Sequence, residues 1–337
     1  MVVLAALESF SLTKNARSLA GVFLLLLGAL LTGCASLAPQ TVQLRNTLPP
    51  ELHEYVELKQ VPFFPQTEYQ CGPAALATVL NTYGVKITPE ELVPEVYLPA
   101  RKGSLQVEML AAARRHGLIS YQLAPRAADV LREVAAGNPV IVLQNLGLTG
   151  DTWHYAVVVG YDYKWGKLYL RSGDDERDVM SFFIHEFTWA RGGYWAMVAL
   201  PPDRIPETAD QDRWLAAVAA VEHAGDVRAA RTGYQALLKR WPSNVNGSIG
   251  LANTYYANGD LKQAESVLRT AERANPESVV VLNNLAQTVS DQGRPAEALP
   301  IIERAEKLGG PFSTTVEDTK RGIQEKLAKT SNSGQRP

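Results

Sequence analysis

The spacing of apolar positions changes character along the chain, and each change predicts a different kind of structure. Lys14 and Arg17 precede an almost unbroken apolar run from Leu19 to Leu31, with Gly21 and Gly28 inside it. A basic region, a short apolar core and then small residues is the pattern of a secretory signal. The run is too short for a membrane-spanning helix, which needs roughly 20 residues. From Ser36 to Leu58 the pattern lapses, and Pro39, Pro49 and Pro50 mark this stretch as a tether. Between Val61 and Pro202 apolar runs alternate with helix-like segments. Cys71 to Gly84 reads as one helix, with Pro73 in its first turn, where a missing N–H is no loss, and Gly84 as its C-terminal cap. Glu108 to His116 and Ala128 to Ala136 are further helices, stopped by Gly117 and Gly137. Strands are expected over Val140 to Leu143, Tyr155 to Tyr161, Lys167 to Arg171 and Tyr194 to Leu200. Helices first and strands later predict an α+β domain.

Beyond Pro201 to Asp210, which break the pattern and read as a linker, the chain becomes helical and periodic. Gly225, Gly259 and Gly293 are spaced by 34 residues, as are Ala230, Ala264 and Ala298. Pro242 and Pro276 share the period, with Gly310 in the third place. Tyr234, Leu268 and Ile302 fill one recurring apolar position, and Leu251 and Leu285 another. This resembles tetratricopeptide repeats, in which small residues let two antiparallel helices approach closely. Stacked helix pairs leave a concave face. The resemblance therefore implies a protein partner, or else a cap that stabilises the preceding domain.

Composition narrows the function classes. The chain has 337 residues, room for two compact domains and a leader, and a formal net charge of -2. The basic residues are scattered, so no nucleic-acid partner is expected. No spacing of Cys, His, Asp or Glu matches a zinc site and no Gly-rich phosphate loop follows a strand, so no metal or cofactor is expected. His53, His116, His185 and His223 read as surface or capping residues, and Asp174, Asp175 and Glu176 as a solvated acidic turn.

The two cysteines sit in unlike surroundings. Leu31-Thr32-Gly33-Cys34 resembles the lipobox of bacterial lipoproteins. In those proteins the chain is cut before the cysteine, which then carries acyl chains. Ala35, where that resemblance would need Asp for inner-membrane retention, implies an outer-membrane lipoprotein facing the periplasm. One acyl chain binds a bilayer only marginally, and two or three on Cys34 would hold it stably. Cys71 is then the sole thiol of the mature chain, without a disulfide partner.

Cys71 opens a helix, where unpaired N–H groups and the helix dipole favour a thiolate. His154 stands at the mouth of a strand, and Gln66, five residues before Cys71, can donate its side-chain amide to an oxyanion. Pro65-Gln66, then Cys71-Gly72-Pro73-Ala74-Ala75-Leu76, then the His154 strand, together resemble the double-glycine leader peptidases. These are the bacteriocin-processing family of the papain-like clan. The resemblance covers Val61 to Pro202. It implies Cys71 as nucleophile, His154 as its base and Gln66 as oxyanion donor. If a charged His154 and the helix start stabilise the thiolate, its pKa should lie within the roughly 3.5–7.5 range of activated cysteines.

Two departures stand out. The family's glutamine lies six residues ahead of the cysteine, leaving Gln70 as a competitor to Gln66. Its acidic residue after the next strand is replaced by Ser172, so Asp174, Asp175 or Ser172 is left to orient the imidazole. Catalytic cleavage of a peptide or protein substrate, a catalytically weak binding module and thiol acyl transfer are the competing functions. The expected organisation is a signal over 1–33, a lipidated tether over 34–58 and a papain-like cysteine peptidase domain over 59–202. A linker over 203–210, three repeats over 211–312 and a helical, then disordered tail over 313–337 complete it. A chain ending near Pro202 is expected to fold alone.

Overall fold

In the computed structural model residues 37–47, 49–66, 70–147 and 149–333 are described, so the signal and Cys34 lie outside the described residues. The centre of the fold is an antiparallel sheet of β1 (Tyr55–Glu57), β4 (Ile119–Gln122), β5 (Val140–Asn145), β6 (Trp153–Asp162), β7 (Lys167–Ser172), β8 (Asp175–Ser181) and β9 (Ala196–Leu200). The order is β4-β9-β5-β6-β7-β8, with β1 paired to the far end of β6 at Gly160 to Asp162. A two-stranded ribbon, β2 (Tyr97–Leu98) and β3 (Gly103–Ser104), lies apart. The expected α+β class and the antiparallel strands are observed.

β6 is buried on both faces, so its run Tyr155-Ala156-Val157-Val158-Val159 reads as continuous rather than alternating. On one face Tyr155, Val157 and Val159 pack against α2 (Cys71–Thr82), α3 (Pro89–Val96) and α4 (Gln106–Arg115) through Leu76, Leu80, Leu92 and Met109. On the other, Ala156 and Val158 meet α5 (Ala127–Ala135) and α6 (Phe182–Arg191) through Val130, Val134, Phe182 and Trp189. Helix α2 starts and stops where the sequence places it, with Gly84 in the left-handed region at φ 84° just beyond its end.

The expected tether is ordered from Leu37 onward. Pro39–Asn46 forms α1, and its first two N–H groups, from Gln40 and Thr41, both donate to the buried carboxylate of Glu186 on α6. A distant anion thus satisfies the unpaired donors of a helix start. Leu44 and Leu52 enter the core.

The expected linker is docked as well. Glu133, fully buried, accepts from the Thr208 N–H and hydroxyl at 2.7 and 2.6 Å, and Arg240 donates to the carbonyls of Pro206 and Glu207. Three bonds to the Glu133 carboxylate, from the Glu207 N–H and from the Thr208 N–H and hydroxyl, hold this polar segment more firmly than its composition suggests.

The repeats follow as the pairs α7 (Gln211–His223) with α8 (Val227–Arg240), α9 (Val245–Ala257) with α10 (Leu261–Ala274), and α11 (Val279–Asp291) with α12 (Pro295–Leu308). Each pair turns at Gly225, Gly259 or Gly293, all at positive φ. The in-phase positions Ala230, Ala264, Ala298, Tyr234, Leu268 and Ile302 are all buried, as the period requires. The tail is a separate capping helix, α13 (Ser313–Ser333), which buries Val316 and Ile323 against the last repeat.

The repeats do not stand apart from the sheet. Trp214, Val218 and Val221 of α7 share one core with Ile119 and Tyr121 of β4, with the Tyr121 and Trp214 rings 6.4 Å apart. A chain ending near Pro202 would expose this apolar edge, contrary to the sequence-based expectation. Trp214→Ala should therefore destabilise the protein by about 3–5 kcal/mol and lower amide-exchange protection in β4 and β9. Unchanged protection there would mean that the array merely adjoins the sheet.

Candidate active site

His154 and Tyr155 stand at the start of β6, and Tyr155 packs on the side where Cys71 opens α2. Gly72 must lack a Cβ because one there would fall inside the Ser104 side chain of β3, which presses on the start of α2. Pro73 has no N–H and the Ala74 N–H already donates to Gln70 O, so Cys71 and Gly72 carry the unpaired N–H groups of this helix start. Those two N–H groups and that of Tyr155 on β6 act on the Cys71 sulfur and favour thiolate. Burial acts more strongly and pushes the thiol up. Tyr155, whose hydroxyl donates to Ser104 O at 3.2 Å, closes the sulfur's other side and feels its charge.

His154, the neighbour of Tyr155, reaches across to β7. Its Nε2 lies 2.9 Å from the Ser172 hydroxyl. Burial without a countercharge holds the imidazole down at about 4. Burial thus acts against charge on both groups, opposite in sign to the charged pair expected from the sequence. The physical reason is desolvation: the sulfur and the ring are both enclosed, and a serine hydroxyl supplies no charge to offset the loss of water. Of the possible orienting residues, Ser172 holds the ring, whereas Asp174 is exposed in the turn after β7 and Asp175 is exposed as the first residue of β8.

Gln66 comes to the same corner by its backbone. Its N–H donates to Gly173 O at 3.1 Å, one residue past Ser172. The segment leading to it is pinned by buried Arg171, whose guanidinium donates to Val61 O at 3.0 Å and to Glu176 O. Gln70, the competitor, is the N-cap position of α2 and makes no side-chain cap bond.

Sequence reasoning missed Arg171 as the clamp that places Gln66, because Val61, the partner through which it acts, lies 110 residues away. It missed Ser104 and Tyr155 as the walls around the sulfur for the same reason. Trp153, beside His154, is 52% exposed, and such an aromatic at the mouth of a site offers a surface to substrate. His185, expected at the surface, is instead enclosed, stacked on Trp189 and held down to about 4 by burial. His116 matches its expected place at the end of α4, with Nε2 2.9 Å from Glu95.

Residues 58–178 match the Peptidase_C39-like family, and residues 215–279 and 249–311 match tetratricopeptide repeats. Two uncharacterised archaeal proteins, from Methanothermobacter thermautotrophicus and Methanothermobacter marburgensis, are each 33% identical over 94 residues, 28% of this chain. The chain spans 59% of the length of these curated relatives. Among solved structures, a C39-like peptidase candidate from Bacillus anthracis is 19% identical with a TM-score of 0.36, covering 44% of this chain and 98% of its own. The type III secretion translocator chaperone of Yersinia enterocolitica is 20% identical with a TM-score of 0.32, covering 35% of this chain and 85% of its own. The chain carries a C39-like peptidase domain over residues 58–178, followed by tetratricopeptide repeats over residues 215–311.

Proposed function

We propose that this protein is an envelope-anchored cysteine peptidase that attacks peptide bonds from a neutral resting pair. The observation that carries this reading is the Ser172 hydroxyl 2.9 Å from Nε2 of His154, next in sequence to Tyr155, which packs against the helix that Cys71 opens. A hydroxyl that accepts from Nε2–H fixes one tautomer and leaves Nδ1 as the base. The Cys71 proton moves to Nδ1 as its sulfur bonds to the substrate carbonyl carbon, and the carbonyl electron pair moves onto oxygen. The Cys71 N–H and the Gln66 amide receive that oxyanion. Collapse breaks the C–N bond, the imidazolium protonates the departing amine, and a thioester remains. Water, deprotonated by His154, then releases the acid and restores the thiol. If an amine takes the place of water, the same thioester gives acyl transfer.

The repeats recruit the substrate or a partner protein. Cys34 carries the lipid that ties the chain to a membrane, in the outer membrane where the host has one. The peptide bond chosen is a matter of what the repeats and Trp153 accept.

Hydrolysis of a mixed-sequence fluorogenic peptide library should vanish in Cys71→Ala. In His154→Ala it should fall by about 10²–10⁴-fold, the usual contribution of a positioned base. Retained turnover in Cys71→Ala would end the peptidase reading and leave a binding module.

The neutral pair makes a separate prediction about pH. Alkylation of Cys71 should keep rising with pH beyond about 8.5, the free-thiol value, because burial raises the thiol and His154 titrates near 4. In Ser172→Asp a carboxylate favours imidazolium and should raise His154 by about 1–3 units. The imidazolium in turn favours thiolate, so alkylation near pH 7 should accelerate. A profile unmoved by Ser172→Asp would mean that residue 172 does not govern the ring.

For the anchor, Cys34→Ser should abolish labelling by a fatty-acid analogue and leave precursor uncut. Undiminished label would remove the lipid anchor from this reading.

A further inference from the structure

Helix α6 is apolar on its solvent side as well as its buried side. Phe182, Glu186 and Trp189 face inward, whereas Phe183 and Phe187, spaced by one turn, flank Ile184, which is 52% exposed. Alongside lies α1, joined to α6 through Glu186 and through the Thr41 hydroxyl on Phe182 O. Leu37, two residues before α1, and Val42 within it are 48% and 41% exposed, beside exposed Gln43, Arg45 and Asn46. Glu186 is the lone carboxylate on these two helices, and it is buried. Exposed apolar side chains gathered on adjoining elements, unlike isolated ones, mark a contact.

The chain itself says what covers it. Four peptide steps separate Cys34 from buried Ala38, which bounds their Cα separation at about 14 Å. An acyl-bearing cysteine on so short a lead brings the start of α1 to the headgroup layer. We infer that the outer faces of α1 and α6 form a bilayer-contact surface, with Leu37, Val42, Phe183, Ile184 and Phe187 seated in the lipid interface. This inference rests on the lipid anchor proposed above. Apolar side chains in an interfacial helix add their buried area to the anchoring supplied by acyl chains. The surface also sets the orientation of the protein. α6 packs on one face of the sheet and α2 on the other, so Cys71 is directed away from the membrane.

The test uses the full-length lipidated protein in a Cys71→Ser background, reconstituted in vesicles of phosphatidylethanolamine with a minor share of phosphatidylglycerol. Spin labels are placed at Val42→Cys, Ile184→Cys and, as an aqueous control, at exposed Ser266→Cys on α10. Collisional accessibility to oxygen and to a water-soluble nickel complex is then compared after vesicle flotation. The expected result is that the labels at positions 42 and 184 favour oxygen over nickel by several fold relative to the label at 266. Flotation with all three labels equally open to nickel would overturn the bilayer contact and leave the anchor standing. Labels at 42 and 184 shielded from both reagents would mean that a protein covers the patch, which also overturns it. Failure to float would overturn the anchor and the contact together.

Discussion

The burial of β6 on both faces is the constraint from which the rest of the structure follows. A strand enclosed above and below can satisfy its backbone only through neighbours, and β5, β7 and β1 between them supply those bonds. The helices on either side are then committed to opposite faces, and the order of residues at the strand's mouth is fixed with them. Tyr155 looks towards α2, and His154 meets Ser172 on the adjoining strand. The register of one strand thereby decides which groups can reach the sulfur.

The chemistry of the corner is set by what is missing from it. A carboxylate at position 172 would stabilise a charged imidazole directly. A hydroxyl orients the ring but leaves its charging costly, at about 1.4 kcal/mol for each unit by which burial lowers its pKa. The ring is held in place while its ionisation is disfavoured. In the proposed mechanism, proton transfer is thus tied to the arrival of a substrate rather than completed in advance. A thiol kept protonated is also a poorer target for oxidants, because thiolate character governs oxidation.

Much of this was legible in the sequence, and the remainder was hidden for identifiable reasons. Helix α2 was legible because Pro73 and Gly84 bracket it, and the repeats because small residues recur at a fixed interval. The gap in the acidic position could be read as Ser172 only through the family resemblance, together with the expected end of β7. Helix α6 was not found, since Phe-Phe-Ile-His-Glu-Phe is apolar on every side and shows no helical periodicity. Residues 39–46 passed for a tether because the group that fixes them, Glu186, lies far along the chain. The pKa values of Cys71 and His154 depend on enclosure by Ser104, Tyr155 and the sheet. No local motif encodes that enclosure. Sequence reading therefore named the candidate groups and missed the solvent they had lost.

The docked segment from Asp203 to Asp210 has a geometric consequence. With Glu133 and Arg240 gripping it and Trp214 set into the sheet's edge, the array cannot swing on a flexible joint. A peptide seated on the repeats would then lie at a set distance from Cys71. The number of residues between its recognised segment and the bond it presents would act as a ruler. Chains too short to bridge that distance would be held without being reached, and longer ones would meet the sulfur at an effective concentration that falls as the slack grows.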